Sequence, residues 1–408
     1  MLSLFDTLVS RHVRRTQCPK GRRSAKVAEQ SQSAVVYGVF DETNDVEKRV
    51  ALTPEIVARL KRAGIKCVIE RAAGKASMFA DEDYEKVGAE VVERDKVISS
   101  ADIFGFVSRP DDDLIAKLPE KSWVVGMLGS FTDSGYVEKL EKAKLVGIAM
   151  EKLPRQLSSA QSMDEMTSQN SVMGYKAVLA AANEYGSFLP MMTTAAGTIR
   201  PAKVLVLGAG IAGLQAIGTA KRLGAVVTAY DVRPAAKDEI ESLGAKFLEL
   251  GLDFSAGQGE GGYARQLTAE EQAAQQAAVD EKAAGFDIVI TTAKVPGRKP
   301  PVLLTSAGVN GMRRGAVILD CAASDLGGNV EGSEPEKTIV TENGVRVIGA
   351  PNLASEVCTT ASNLLARNVA DVAAHFVRDG KLCADLSDEL DDALAVAGRN
   401  LAQKSENN

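Results

Sequence analysis

Gly208, Gly210 and Gly213 fall at G-x-G-x-x-G spacing, directly after the apolar run Val204 to Leu207 and ahead of a helical pattern. Each glycine answers a different steric demand. Gly208 permits a tight strand-to-helix turn, Gly210 leaves room for a pyrophosphate, and Gly213 lets the helix lie close on the sheet. The free amides at the helix N-terminus then face the phosphates. A second apolar run, Ala225 to Tyr230, ends at Asp231. A carboxylate there accepts both hydroxyls of an adenosine ribose and repels a 2′-phosphate. This order of elements points to dinucleotide binding, with NAD(H) favoured over NADP(H). Arg233, two residues on, keeps a phosphate partner open as the alternative.

A nicotinamide ring needs further groups around it, and histidine is scarce in this chain. Dehydrogenases of hydroxy or amino acids use a base, commonly His, and a cation for the carboxylate. The two histidines are His12, in a basic N-terminal stretch, and His375, within a late helical pattern where a surface or packing role is expected. A better cluster lies between Pro154 and Asp164, where Arg155, Gln161 and Asp164 offer a cation, an amide and a carboxylate from one loop. Such a set suits a carboxamide and a ribose. The same spacing also fits a helix cap by Ser162 or Asp164, with Arg155 facing solvent.

The elements that must position these groups alternate between strand and helix. Runs at Val35 to Phe40, Lys66 to Glu70, Ile103 to Val107, Trp123 to Met127 and Leu145 to Ala149 predict strands. Thr53-Pro54-Glu55 predicts a helix start, with the helix over Glu55 to Ala63 ending at Gly64. A long helical spacing from Met163 to about Phe188 predicts a connecting helix. Later strands are expected at Phe247 to Leu250, Ile288 to Thr292, Ala316 to Asp320 and Val345 to Ile348, and a helix over Ser355 to Val377. The fold class is therefore α/β: two Rossmann-like domains with parallel sheets, the first discontinuous, and a cleft between them. The expected division is 34–165 plus 355–400 for the first domain and 166–354 for the second, connecting helix included. The glycine-rich stretch Gly251 to Gly262 reads as a mobile loop.

Composition narrows the function classes. The 408 residues carry a net charge of −6, which gives no reason to expect nucleic acid or an anionic membrane as ligand. No apolar run approaches the ~18 residues of a membrane span, so no direct membrane insertion is expected. The five cysteines (Cys18, Cys67, Cys321, Cys358, Cys383) show no metal-like pairing and read as buried free thiols. Residues 1–33 are rich in Arg and Lys, with only Asp6 and Glu29 as acids. They fit a disordered or targeting extension.

Extended stretches of the chain closely resemble the NAD(H)-binding domain I, within the alpha subunit, of proton-translocating nicotinamide nucleotide transhydrogenases. The resemblance spans about residues 35 to 370. It rests on Arg49-Val50-Ala51-Leu52-Thr53-Pro54, the P-R…A-Q-S-M-D loop, Gly174-Tyr175-Lys176-Ala177, Thr193-Thr194-Ala195-Ala196-Gly197-Thr198 and V-L-G-A-G-I-A-G-L-Q-A. It continues through Tyr230-Asp231-Val232-Arg233-Pro234, Gly261-Gly262-Tyr263-Ala264, Ile290-Thr291-Thr292-Ala293 and Gly327-Gly328-Asn329. The resemblance implies direct hydride transfer from NADH held here to NADP+ held on a partner subunit, with a membrane-spanning subunit coupling the exchange to proton translocation. It further implies a homodimer, peripheral at the inner face of the cytoplasmic membrane through those partners, or in an organelle matrix if residues 1–33 are a transit peptide. By position, Arg155, Gln161 and Asp164 would orient the dihydronicotinamide. Gly208, Gly210, Ile211, Ala212, Gly213, Asp231, Val232, Arg233, Thr292 and Ala293 would hold the rest, with Tyr263 on a closing loop. No metal is implied.

Alanine dehydrogenase shares the glycine motif and the R-V-A-L-T-P text, and a stand-alone oxidoreductase of that type is the alternative. That family uses a lysine in a V-K-x-K-type strand and a histidine in an H-L-A-type segment. The corresponding strands here read Phe104-Gly105-Phe106-Val107 and Val125-Gly126-Met127-Leu128, without either group. Arg49 is common to both families. Two extra residues relative to the transhydrogenase pattern keep a non-catalytic NAD-binding role as a third reading, and Lys294 is a further departure that bears on activity. One extra residue stands between Arg155 and Gln161 relative to P-R-I-S-R-A-Q, another between Asp320 and Gly327, and Lys294 replaces an apolar residue.

Overall fold

The computed structural model describes residues 34–252, 267–294 and 297–403; His12, Cys18 and Tyr263 lie outside them, as does most of the glycine-rich stretch. Strands β1 (Val36–Val39), β2 (Lys66–Glu70), β3 (Glu90–Val92), β4 (Ile103–Gly105), β5 (Trp123–Gly126) and β6 (Val146–Ala149) form a parallel sheet in the order β3-β2-β1-β4-β5-β6. A hairpin follows, β7 (Met192–Thr194) and β8 (Gly197–Ile199). The second sheet comprises β9 (Lys203–Leu207), β10 (Val226–Tyr230), β11 (Lys246–Phe247), β12 (Ile288–Thr291), β13 (Val317–Asp320), β14 (Thr338–Val340) and β15 (Arg346–Gly349). Its order is β11-β10-β9-β12-β13-β15-β14, parallel except for β14. A short ribbon, β16 (Val377–Arg378) with β17 (Lys381–Leu382), precedes β18 (Ala395–Ala397), which returns to the first sheet antiparallel to β6.

Continuous apolar runs form these strands because both faces of each sheet are covered. On β5, Trp123 and Val125 belong to the core that includes Leu365, Val369 and Phe376, while Val124 joins the opposite core with Phe104 and Leu140. The second sheet repeats the arrangement: Val204 and Val206 face one core, Leu205 and Leu207 the other. Each sheet reverses its strand order beside its first strand, between β1 and β4 and between β9 and β12. Ligand crevices of open α/β sheets lie at such reversals, beyond the carboxyl ends of the strands.

Two helices join the halves. The connecting helix runs over Glu165–Glu184, inside the expected Met163 to Phe188 span, and ends where Tyr185 turns extended. It packs so closely on helix Ile211–Arg222 that a Cβ on Gly174 would lie 2.1 Å from the Ala212 carbonyl oxygen. The late helical pattern resolves into a 3-10 turn, Ser355–Val357, and helix Cys358–His375, whose Leu365, Val369 and Val372 enter the core of the first sheet.

The interior strands lie where the apolar runs predict them, but the edges differ. The expected strand Phe247 to Leu250 is paired only over Lys246–Phe247, and after the Leu248 amide bonds to Ala229 the chain leaves the sheet. Strands β3, β14 and β18 and the exposed β7–β8 hairpin have no counterpart among the expected elements. Cys67, Cys321 and Cys383 are buried free thiols, while Cys358 is only half-buried. Burial pushes the Cys67 thiol up to about 12.

Candidate functional site

The turn after β9 takes the geometry that its glycines allow. Gly208 has φ +98°, and a Cβ there would come within 3.0 Å of the Ala293 amide. A Cβ on Gly213 would sit 1.9 Å from the Gly208 carbonyl oxygen. Gly210, the N-cap of helix Ile211–Arg222, has nothing within 4 Å of its Cβ position. Two of the three glycines are therefore filled by the protein itself, and the third opens onto free space. That cradle, at the N-terminal end of a helix, has the shape and polarity to fit a pyrophosphate. Ile211 and buried Ala212 form the first turn of the helix.

The ends of β10 and β12 brace the cradle. Asp231 accepts from the Ala209 amide (2.7 Å) and from the Arg233 amide (2.8 Å) and Nε (3.0 Å), while Arg233 Nη2 donates to the Ala209 carbonyl at 3.0 Å. Val232 lies between these partners. Arg233 therefore sits against Asp231 and the glycine turn in this state. The Thr292 hydroxyl donates to the Gly208 carbonyl (3.0 Å), and the Ala293 amide donates to the Asn329 side chain (2.9 Å). Asn329 returns two bonds through Nδ2, to Ala293 and Pro301. Lys294 is exposed on the same loop.

Asp320, fully buried at the end of β13, accepts from Thr291 Oγ1, the Ala322 and Val330 amides and Ser333 Oγ. Asn329 and Asp320 hold the rim of the second sheet through partners that are, apart from Ala322, separated in sequence by 10 or more residues. In the sequence, Asn329 enters only within the resemblance stretch Gly327-Gly328-Asn329, and no role is expected of Asp320.

On the first sheet's side, the loop leaving β6 brings Arg155 and Asp164 together, with Nε to Oδ2 at 3.2 Å. Asp164 also caps the connecting helix, accepting from the Thr167 amide at 2.9 Å and its hydroxyl at 2.5 Å. Asp164 therefore caps as the spacing allowed, while Arg155 is paired with it rather than facing solvent. Ser162 does not cap, and its carbonyl accepts from Asn368 Nδ2 instead. Gln161 is exposed on the 3-10 turn Ser158–Met163 and does not join the pair.

Several carboxylates lie in the segments after β1 and β6 and at the start of the connecting helix. Glu42 accepts from the Val107 and Ser108 amides, both at 2.8 Å, and Glu151 from the Leu128 and Ser130 amides. Burial raises Glu42 to about 8, against the lowering effect of its two amide donors. Arg49 is gripped by Glu47 through Nε (2.8 Å) and Nη2 (2.7 Å), and its Nη1 donates to Gln169. Burial works to raise Glu47, but the Arg49 bonds outweigh it and hold its carboxyl below the ordinary value. Glu165, the first helical residue after Asp164, is 4% exposed, and its Oε2 has no hydrogen-bond partner. Burial pushes it up to about 8, opposed by Arg49 and reinforced by Glu151, Glu42 and Asp164. A helix N-terminus favours an acid by only ~0.3–1 kcal/mol, less than the several kcal/mol of desolvation.

His375 is remote from this chemistry: its Nε2 bonds to buried Asp391, which also takes Arg378, and its ring packs edge-on against Phe376. The two halves meet where Gly297, at φ +74°, lies beside Phe131, leaving 2.8 Å between a Cβ there and the Phe131 Cβ.

Known proteins share this architecture. Residues 38–173 match the alanine dehydrogenase/PNT N-terminal domain and residues 177–403 the alanine dehydrogenase/PNT C-terminal domain. The chain is 42% identical over 351 residues to the first of the chains that make up NAD(P) transhydrogenase subunit alpha in Rickettsia prowazekii, covering 84% of this chain and 90% of that one. The crystal structure of transhydrogenase from Sinorhizobium meliloti superimposes with a TM-score of 0.79 at 40% identity, over 90% of this chain and 100% of that one. An L-alanine dehydrogenase structure gives a TM-score of 0.70 at 26% identity, over 88% of this chain and 93% of that one.

Proposed function

Because the chain belongs to the alanine dehydrogenase/PNT family, we propose that it is the NAD(H)-binding component of a transhydrogenase. In this reading it passes hydride directly between NADH and NADP+ held on a partner subunit. The observation that carries the reading is the Arg155–Asp164 pair, set on the N-terminus of a helix that packs against the glycine turn. Asp164 fixes Arg155, and Gln161, Arg155 and Asp164 orient the nicotinamide from one side. Gly208, Gly210, Ile211, Ala212 and Gly213 receive the pyrophosphate. Asp231, Val232 and Arg233 receive the adenosine ribose, and Thr292 and Ala293 line the other wall. The nicotinamide supplies the electron pair; the chain supplies orientation and moves no proton at the ring.

Further elements of the proposal concern assembly. A membrane-spanning partner couples the exchange to proton translocation, and the chain associates with the membrane only through such partners. Among the described residues no helix is long and apolar enough to cross a membrane. The exposed β7–β8 hairpin, with Met191 at 65% and Ile199 at 38% exposure, offers an arm for a homodimer. The division into 34–165 plus 355–400 and 166–354, Tyr263 as a member of a closing loop, and residues 1–33 as an extension belong to the same reading.

Mixing the full chain and NADH with an NADP+-loaded transhydrogenase partner domain tests the proposal. The expected result is reduction of the NADP+ pool at the expense of NADH, together with no NADH loss when pyruvate and ammonium replace the partner. NADH binding without exchange would leave a non-catalytic role, and pyruvate-dependent oxidation would establish an alanine dehydrogenase.

A further inference from the structure

We propose that Glu165 is a positioning residue that holds a proton while the ring-gripping loop is in its working conformation, so that loss of that proton disorders the loop and weakens NADH binding. The inference rests on the nucleotide-site reading above. Glu165 opens the connecting helix, directly after the cap Asp164 that fixes Arg155. Its carboxyl is almost wholly inaccessible, and Oε2 meets no donor or acceptor. A neutral carboxyl tolerates such a place far better than a charged one.

The charged and titratable groups that act on it come from several segments of the first half. Glu42 follows β1, Glu151 follows β6, Asp164 is the cap, Tyr37 lies on β1, and Arg49 precedes helix Pro54–Arg62. Four of these five carry or can acquire negative charge. Arg49 is the cation among them, and its Nε and Nη2 are committed to Glu47 and its Nη1 to Gln169, one turn along the connecting helix. Ionised Glu165 therefore has two outlets. It can repel Asp164 from the cap, or it can draw Arg49 away from Glu47 and Gln169. Either movement displaces the start of the helix that carries the Arg155–Asp164 pair. Glu42 differs because both its oxygens already accept backbone amides.

NADH affinity measured against pH on the full chain separates the two carboxyls. In the wild type the dissociation constant stays level at neutral pH and rises at least threefold between about pH 7.5 and 9.5, around the value of about 8 to which burial pushes Glu165. Glu165→Gln removes that rise, and Glu42→Gln retains it. Should the amide variant not fold, Glu165→Met tests the same neutrality without a polar head. A level wild-type profile, an unchanged rise in Glu165→Gln, or a rise abolished by Glu42→Gln overturns the assignment. An infrared difference spectrum of wild type minus Glu165→Gln at pH 7 provides an independent readout. A protonated-carboxyl carbonyl band supports the proposal, and its absence overturns it even if NADH binds at no pH and the nucleotide reading itself fails.

Discussion

Asp320 and Glu165 are both buried acids, yet they are placed in opposite ways. Asp320 accepts four hydrogen bonds and anchors two rim segments, whereas Glu165 Oε2 accepts none. Removing Asp320 leaves several buried donors unpaired, each costing ~1–3 kcal/mol. Asp320→Ala is therefore expected to lower unfolding stability by about 3 kcal/mol or more, measurable as a shift in urea midpoint. Glu165 works in the other direction. Its folded-state pKa stands above the ordinary 4.5, at about 8. Its contribution is thus fully present below pH 4.5 and is lost progressively as pH rises towards about 8, since the unfolded chain releases the proton first. Glu165→Gln should remove this decline and make the protein more stable at pH 7.5, by roughly 1–3 kcal/mol. A urea series at pH 5.5, 6.5 and 7.5 checks the sign. At the proposed site, Arg155→Ala is expected to slow hydride exchange by about tenfold or more while leaving the unfolding free energy from a urea series within about 1 kcal/mol, because positioning rather than packing is lost.

At the level of elements, the close crossing of helices Glu165–Glu184 and Ile211–Arg222 links the Arg155–Asp164 loop to the glycine turn. A methyl group on Gly174 has no room against the Ala212 carbonyl, 2.1 Å away. Gly174→Ala must separate the helices, at a cost of ~1–3 kcal/mol typical of overpacking. The expected outcome is weaker NADH binding together with a lower melting temperature. Retained affinity would mean that the two loops are not linked through this crossing. The elements themselves were legible to very different degrees. Interior strands such as Val317–Asp320 are buried on both faces and therefore read as unbroken apolar runs. Glu90–Val92, Thr338–Val340 and the hairpin Met192–Ile199 lie at edges or in solvent, where composition is freer and no such run is needed. The glycine turn was legible because its demands are local. Asp164 was legible as a cap because the spacing is local, whereas its pairing with Arg155 was not, since the cap reading left Arg155 in solvent. The contact of Arg49 with Gln169 joins residues 120 positions apart and leaves no local signature.

In the molecule as a whole, the first sheet draws on both ends of the described chain. Helix Cys358–His375 supplies Leu365, Val369 and Val372 to its core, and β18 closes the sheet beside β6. A chain ending after Ala354 should therefore lose the structure of the first half while residues 201–350 retain theirs. Limited proteolysis followed by mass analysis of the surviving fragment distinguishes that outcome from collapse of the entire molecule. The same arrangement has a consequence during synthesis. On the ribosome, β6 emerges roughly 250 residues before β18, an interval of roughly 10–50 s at ordinary rates of elongation. The second sheet, contiguous from β9 to β15, is complete well before that interval ends. The half that is translated first is thus assembled last, and its bare apolar strands must be shielded from neighbouring nascent chains until helix Cys358–His375 and β18 arrive.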